Sequence, residues 1–144
     1  MDAARGGMME VQLGNLAEQK ASSNEVKKFG QRIAADHSKT GQMLQQLASN
    51  LNVTLPQELK PEQQQQVSQL QNLSGKAFDR DFISVMLKDH GKDIAEYERA
   101  ATQATNAELK HYASQVLPIL REHMKLARNL ASKLGVKPAS APSQ

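Results

Sequence analysis

Three of the four histidines in this chain, His37, His90 and His123, stand on rows of apolar or small residues repeating every seven positions. His37 lies between Gly30 and Leu44, His90 between Ile83 and Tyr97, and His123 between Val116 and Leu130. Such rows form the core-facing stripe of a bundle helix. His111 instead shares its row with Pro118, Lys125 and Ser132 and is expected to face water. An imidazole on a core row can bond to an Asp or a carbonyl, or it can give a lone pair to a metal ion. A cluster of three at one depth brings the metal chemistry into play, because an unmetallated cluster must stay neutral and find a partner for every ring nitrogen.

Depth along the helix axes brings the three together. On helices read as 24–52, 75–104 and 107–134, His37 and His90 sit within one residue of the centres, and His123 lies two to three residues from its own, roughly 4 Å at the helical rise. Glu10, on the first helix, shares a face with Gly6, Leu13, Gly14 and Ala17 and falls roughly 4 Å from the level of His37. The glycines would let another helix come close. One ligand from each of four helices, three imidazoles and the Glu10 carboxylate, would make a tetrahedral or open five-coordinate site for a divalent transition metal. Zinc comes first, with iron, manganese and copper as alternatives. Asp36 and Asp93 are placed to accept an imidazole N–H or to serve as alternative ligands. Met86, four residues before His90, and Met124, beside His123, add the thioethers that keep copper among the ions.

Other chemistries find less support. The chain has no Cys, which removes disulfides, thiolate sites and a cysteine nucleophile. The dinuclear carboxylate signature needs Glu-x-x-His on two helices, and the one match, Glu108 to His111, faces outward. No Ser or Thr sits in a recognisable nucleophile pattern. The expected protein is therefore non-enzymatic, and a mononuclear metal enzyme would need an open coordination position and a substrate pocket. The 18 basic and 15 acidic residues are scattered, giving +3 without a basic stripe, so nucleic acid is not an expected partner. No apolar run approaches the ~20 residues of a membrane span.

These residues need helices to hold them. Ala, Leu, Gln, Lys and Glu dominate, aromatics are 3% of the chain, and 144 residues suit one domain. The periodicity predicts a first helix from Asp2 to about Lys20, closed by Ala21-Ser22-Ser23-Asn24, and a second from Asn24 or Glu25 to about Asn52. Pro56 and Pro61 interrupt the following segment, and Glu62 to about Leu73 reads as a short connecting helix. Gly75 to about Ala104 and Ala107 to Leu134 complete the set, with Pro118 expected to kink the last. The expected fold is an all-α, antiparallel four-helix bundle over 1–135, followed by a flexible tail at 136–144.

Gly6-Gly7-Met8-Met9-Glu10-Val11 with Leu13-Gly14 and Leu16-Ala17, Val26-Lys27-Lys28-Phe29 leading to Asp36-His37, Phe78-Asp79, Met86 with His90, and Leu117-Pro118 before His123 form a combination of motifs. Together they resemble the bacterial domain-of-unknown-function family numbered 4142, over about Asp2 to Leu134. The resemblance implies a ferritin-like bundle in which the long connection crosses the molecule, so that the second and third bundle helices run parallel. It also implies an exported protein, periplasmic or outer-membrane-associated, whose leader was replaced at Met1-Asp2. The leading expectation is an exported metal-binding bundle with a sequestering or stress-related role. The alternative is a cell-envelope structural or interaction domain whose buried histidines bond only to Asp36 and Asp93.

Overall fold

The computed structural model describes residues 2–137, so most of the expected tail at 136–144 lies outside the described residues. Five helices carry the chain: α1 (Asp2–Lys20), α2 (Asn24–Asn50), α3 (Pro61–Gln71), α4 (Gly75–Gln103) and α5 (Ala107–Leu134). Among the described residues there is no strand, only an isolated bridge between Ala21 and Gly75. The helix boundaries follow local chemistry. The Ser23 hydroxyl accepts from the Val26 N–H, and the Asn106 side chain accepts from the Leu109 N–H at 2.9 Å, each satisfying a donor left free at a helix start. Pro61 opens α3, and Gly135, in the left-handed region with φ of 70°, closes α5. Helix α5 continues through Pro118, which is exposed.

Helix α1 packs along α2 and α4 along α5, with α2 also meeting α5 and α1 meeting α4; α3 lies against α1 and α4. The α1–α2 contact is unusually close. A Cβ at Gly14 would come within 2.5 Å of the Gly30 carbonyl, and one at Gly30 within 2.5 Å of the Ala17 Cβ. Only glycine permits that backbone approach. The turn between these helices is held from α4, where the buried Asp79 carboxylate accepts from the Ser22 N–H, the Ser22 hydroxyl and the Ser23 N–H at 2.9 to 3.0 Å. Lys133 near the end of α5 pairs with Glu25 at the start of α2. Elsewhere, the Tyr112 hydroxyl donates to the Thr40 carbonyl at 3.1 Å.

Two apolar clusters fill the interior. One gathers Leu13, Ile33, Leu87 and Ala127 around the Phe29, Phe78 and Phe82 rings; the other gathers Leu44, Leu47, Leu55, Tyr112, Val116 and Leu120. Along each long helix one buried titratable residue falls between the two: Glu10 between Ala4 and Leu13, His37 between Ile33 and Leu44, His90 between Leu87 and Ile94, His123 between Leu120 and Ala127. The four form a polar layer with hydrocarbon on either side. No described helix is long and apolar enough to cross a membrane.

Candidate metal centre

Glu10, His90 and His123 are 0% exposed and His37 is 6% exposed, an extreme burial for groups that carry or accept protons. One ligating nitrogen from each of His37, His90 and His123 lies within 4.8 Å of the others, and the ring centroids are 5.3 to 5.6 Å apart. Three buried imidazoles this close could hold a metal ion. Glu10 borders the cluster from α1, with Oε2 at 2.5 Å from His37 Nε2 and Oε1 at 3.6 Å from His90 Nδ1. Each carboxylate oxygen thus has an imidazole nitrogen beside it, the one at His37 being the closer. The glycine crossing of α1 and α2 brings this pair together, Glu10 lying one turn from Gly14 and His37 two turns from Gly30.

The hydrogen bonds around His90 and His123 fix where their protons sit. His90 Nδ1 faces the Met86 carbonyl at 3.0 Å, which can only accept, so that nitrogen carries hydrogen. His123 Nε2 faces the Asp36 carboxylate at 2.7 Å and must carry hydrogen as well. The remaining nitrogens, His90 Nε2 and His123 Nδ1, then point lone pairs at each other across 3.2 Å. Two neutral rings cannot supply the bridging proton. Burial opposes a third proton, pushing His90 down from its ordinary value and His123 down to about 4.

Glu10 tilts the balance further. Burial alone would raise its carboxyl, but the pull of His90 and His37 outweighs it and holds the group at about 2, so it is ionised. Its charge is felt on α4, where burial first and Glu10 second push Asp89 up to about 6 and Asp93 up to about 8. The Glu10 anion is thus enclosed against the imidazoles and beside crowded carboxyls.

The residues singled out in the sequence divide by neighbourhood. His37, His90 and His123 converge with Glu10 beside them, and Asp36 receives the His123 N–H. Met86 acts on His90 through its carbonyl oxygen rather than its sulfur. Asp93 lines a cleft beside Glu10, and burial first with the Glu10 charge second raises its carboxyl. His111 is exposed, as its row implied. Sequence reasoning passed over Asp89, whose Oδ2 is buried without a hydrogen bond, although its spacing of one turn from Asp93 was visible. It also gave no role to Tyr97 and Tyr112, whose hydroxyls meet at 3.4 Å.

In overall shape the chain is similar to a DUF305 protein from Streptomyces coelicolor that carries the description of a secreted protein, with a TM-score of 0.78 at 13% identity over 96% of this chain and 94% of that one. A DUF305 fragment from Deinococcus radiodurans is similar too, with a TM-score of 0.75 at 14% identity over 92% and 89% of the two chains. At such identities the likeness is one of fold. No curated protein matches the chain significantly. The sequence profile of the domain of unknown function DUF4142 matches residues 1–130, nearly the whole helical region, and the chain belongs to that family.

Proposed function

We propose that this protein is an exported bacterial metal-binding bundle in which His37, His90 and His123 hold one divalent transition ion, zinc first, with Glu10 as fourth ligand. The observation that carries the reading is the pair of lone-pair nitrogens, His90 Nε2 and His123 Nδ1, facing each other at 3.2 Å. Nitrogens bound at about 2.0–2.1 Å to a tetrahedral zinc lie roughly 3.3–3.4 Å apart, so an ion satisfies both where a proton is disfavoured. The enclosed Glu10 anion supplies charge for it, and Asp36 and the Met86 carbonyl orient the rings as supporting groups do around metal-bound histidines. Asp93 supports the centre through Glu10.

Residues 1–135 act as one domain. We read α1, α2, α4 and α5 as an antiparallel four-helix bundle with a ferritin-like crossing connection. In support, the turn before α2 meets the start of α4 through Asp79, and the end of α5 meets the start of α2 through Lys133 and Glu25. Export is supported by the secreted description of the Streptomyces neighbour. The role is sequestration, with no catalytic residue assigned. In the competing reading, a cell-envelope interaction domain, the histidines only bond within the core; the facing lone pairs of His90 Nε2 and His123 Nδ1 speak against it.

Elemental analysis of protein purified without a histidine tag, then loaded with zinc and desalted, tests the reading. About one equivalent of retained zinc is expected, lost in His90→Ala and kept in His111→Ala. No retained zinc in the folded wild type would overturn it.

A further inference from the structure

A separate cleft of about 490 Å³ opens between α1, α2 and the loop that follows α2, and the buried Tyr112 of α5 also lines it. None of the described residues around it is an Asp, Glu, Lys or Arg, although these types make up 23% of the chain. Ala3, Ala4 and Val11 of α1, Leu44 of α2, and Leu55 and Pro56 of the loop give it apolar walls, while Gln12, Gln42, Gln45 and Gln57 bring neutral amides. The loop wall is pinned to α1, because Arg5 Nε donates to the Glu58 carbonyl at 3.2 Å. Gly7 and Gly41 leave room in the cleft, since a Cβ at either meets nothing within 4 Å. One buried side chain opens onto this space. His37 is 6% exposed, against 0% for His90 and His123, and it lines the cleft. Its Nε2 is enclosed against Glu10, whereas Nδ1 makes no hydrogen bond with any described residue. The outer nitrogens of His90 and His123 are held by the Met86 carbonyl and the Asp36 carboxylate. His37 alone of the three lacks such a partner, and the cleft is the side from which one can come.

We infer that this cleft binds a small uncharged amide with an apolar body, its amide group bonded to His37 Nδ1. The ligand class follows from the lining. Small-molecule sites are mostly apolar hollows of roughly 300–1,000 Å³ in which a few polar groups fix orientation, and the cleft has that size and that make-up. A charged ligand would leave water without an opposite charge to meet it, which is costly, so the lining selects a neutral one. An amide offers both a donor and an acceptor, and therefore suits Nδ1 in either tautomer. With an ion on Nε2, Nδ1 carries hydrogen and the amide carbonyl accepts from it, as the partners of metal-bound histidines do. With Nε2 donating to Glu10 instead, Nδ1 accepts from the amide N–H. The cleft site thus shares His37 with the metal reading but needs no ion.

Titration of the full chain with N-acetyl-leucine N-methylamide, followed by calorimetry and by nuclear magnetic resonance of the histidine ring nitrogens, tests the site. The probe is expected to bind and to move the His37 signals while those of the exposed His111 stay in place. N-acetyl-leucine, which ends in a carboxylate, should bind roughly tenfold more weakly or worse. Gly41→Leu puts a side chain into the open space and a better helix former into α2, so it should weaken the amide roughly tenfold without lowering the melting temperature or the zinc uptake. Absence of amide binding, equal binding of the carboxylate, an unmoved His37 signal, or unchanged affinity in Gly41→Leu each overturns the site. Should the chain retain no zinc yet bind the amide in this pattern, the metal reading fails and the cleft site stands; retained zinc with no amide binding is the reverse.

Discussion

Asp36 touches two partners of opposite setting, the buried ring of His123 at 2.7 Å and the exposed Arg32 at 3.4 Å. Because the carboxylate only accepts, it fixes hydrogen on Nε2 and leaves Nδ1 free to ligate. Asp36→Asn should therefore lower zinc affinity by about 10–100-fold while the helical circular dichroism spectrum is unchanged. Equal zinc affinity in isothermal titration would show that Asp36 does not orient the ring. The metal-free centre also responds to pH. Burial holds His123 at about 4, below its ordinary value, so between about 6.5 and 4 the unfolded chain binds more protons and stability falls as pH drops. Asp93 works the other way. Its carboxyl, raised to about 8, keeps a proton that the unfolded chain releases, so its contribution is full below about 4 and is lost as pH rises through 8. Asp93→Asn should accordingly raise the urea midpoint of metal-free protein above pH 8, and by much less near pH 4. Equal shifts at both would mean that Asp93 ionises normally.

At the scale of the helices, the seven-residue rows were legible because burial acts on every turn: Leu44 and Leu120 are 3% and 1% exposed where their rows placed them. Leu120→Ala should cost roughly 2–5 kcal/mol in denaturant unfolding. A loss within about 0.5 kcal/mol would belong to a surface position. The three histidines and Glu10 were legible for the same reason, each being a polar residue on an apolar row. What the rows could not convey is how closely two helices approach. Gly14 and Gly30 were visible as small residues, yet their direct backbone contact depends on rotation of α1 against α2, which periodicity leaves free. Gly14→Ala should thus destabilise the fold despite alanine's better helix propensity, because Gly30 O at 2.5 Å is backbone and cannot swing aside. A gain in melting temperature would contradict that contact. Asp79 was likewise invisible as a cap, since it binds the Ser22–Ser23 turn across 56 and 57 residues of chain.

In the whole molecule, the polar layer divides the interior, so its stability is tied to what fills it. Apolar clusters on both sides exclude water, so the Glu10 anion is held by its imidazole neighbours rather than by solvent, and a cation entering the layer finds that charge already in place. An ion that binds only the folded chain adds about 2.7 kcal/mol at a hundredfold excess over Kd. Zinc should therefore raise the melting temperature near neutral pH. The gain should shrink on acidification, because every ligand nitrogen must be free of a proton to bind. His37→Ala, His90→Ala and His123→Ala should each abolish the gain even where the metal-free variant still melts cooperatively, while His111→Ala, on the exposed face of α5, should keep it. Two outcomes would be decisive against the centre. A wild type whose melting zinc does not move leaves the layer as a purely structural hydrogen-bond cluster, and a gain removed by His111→Ala alone puts the ion on the surface of α5. The same measurement with Glu10→Gln separates charge from shape, since the amide fills the same space without the anion: a smaller zinc gain is expected, together with a less stable metal-free protein near neutral pH, because the folded chain favours the Glu10 anion.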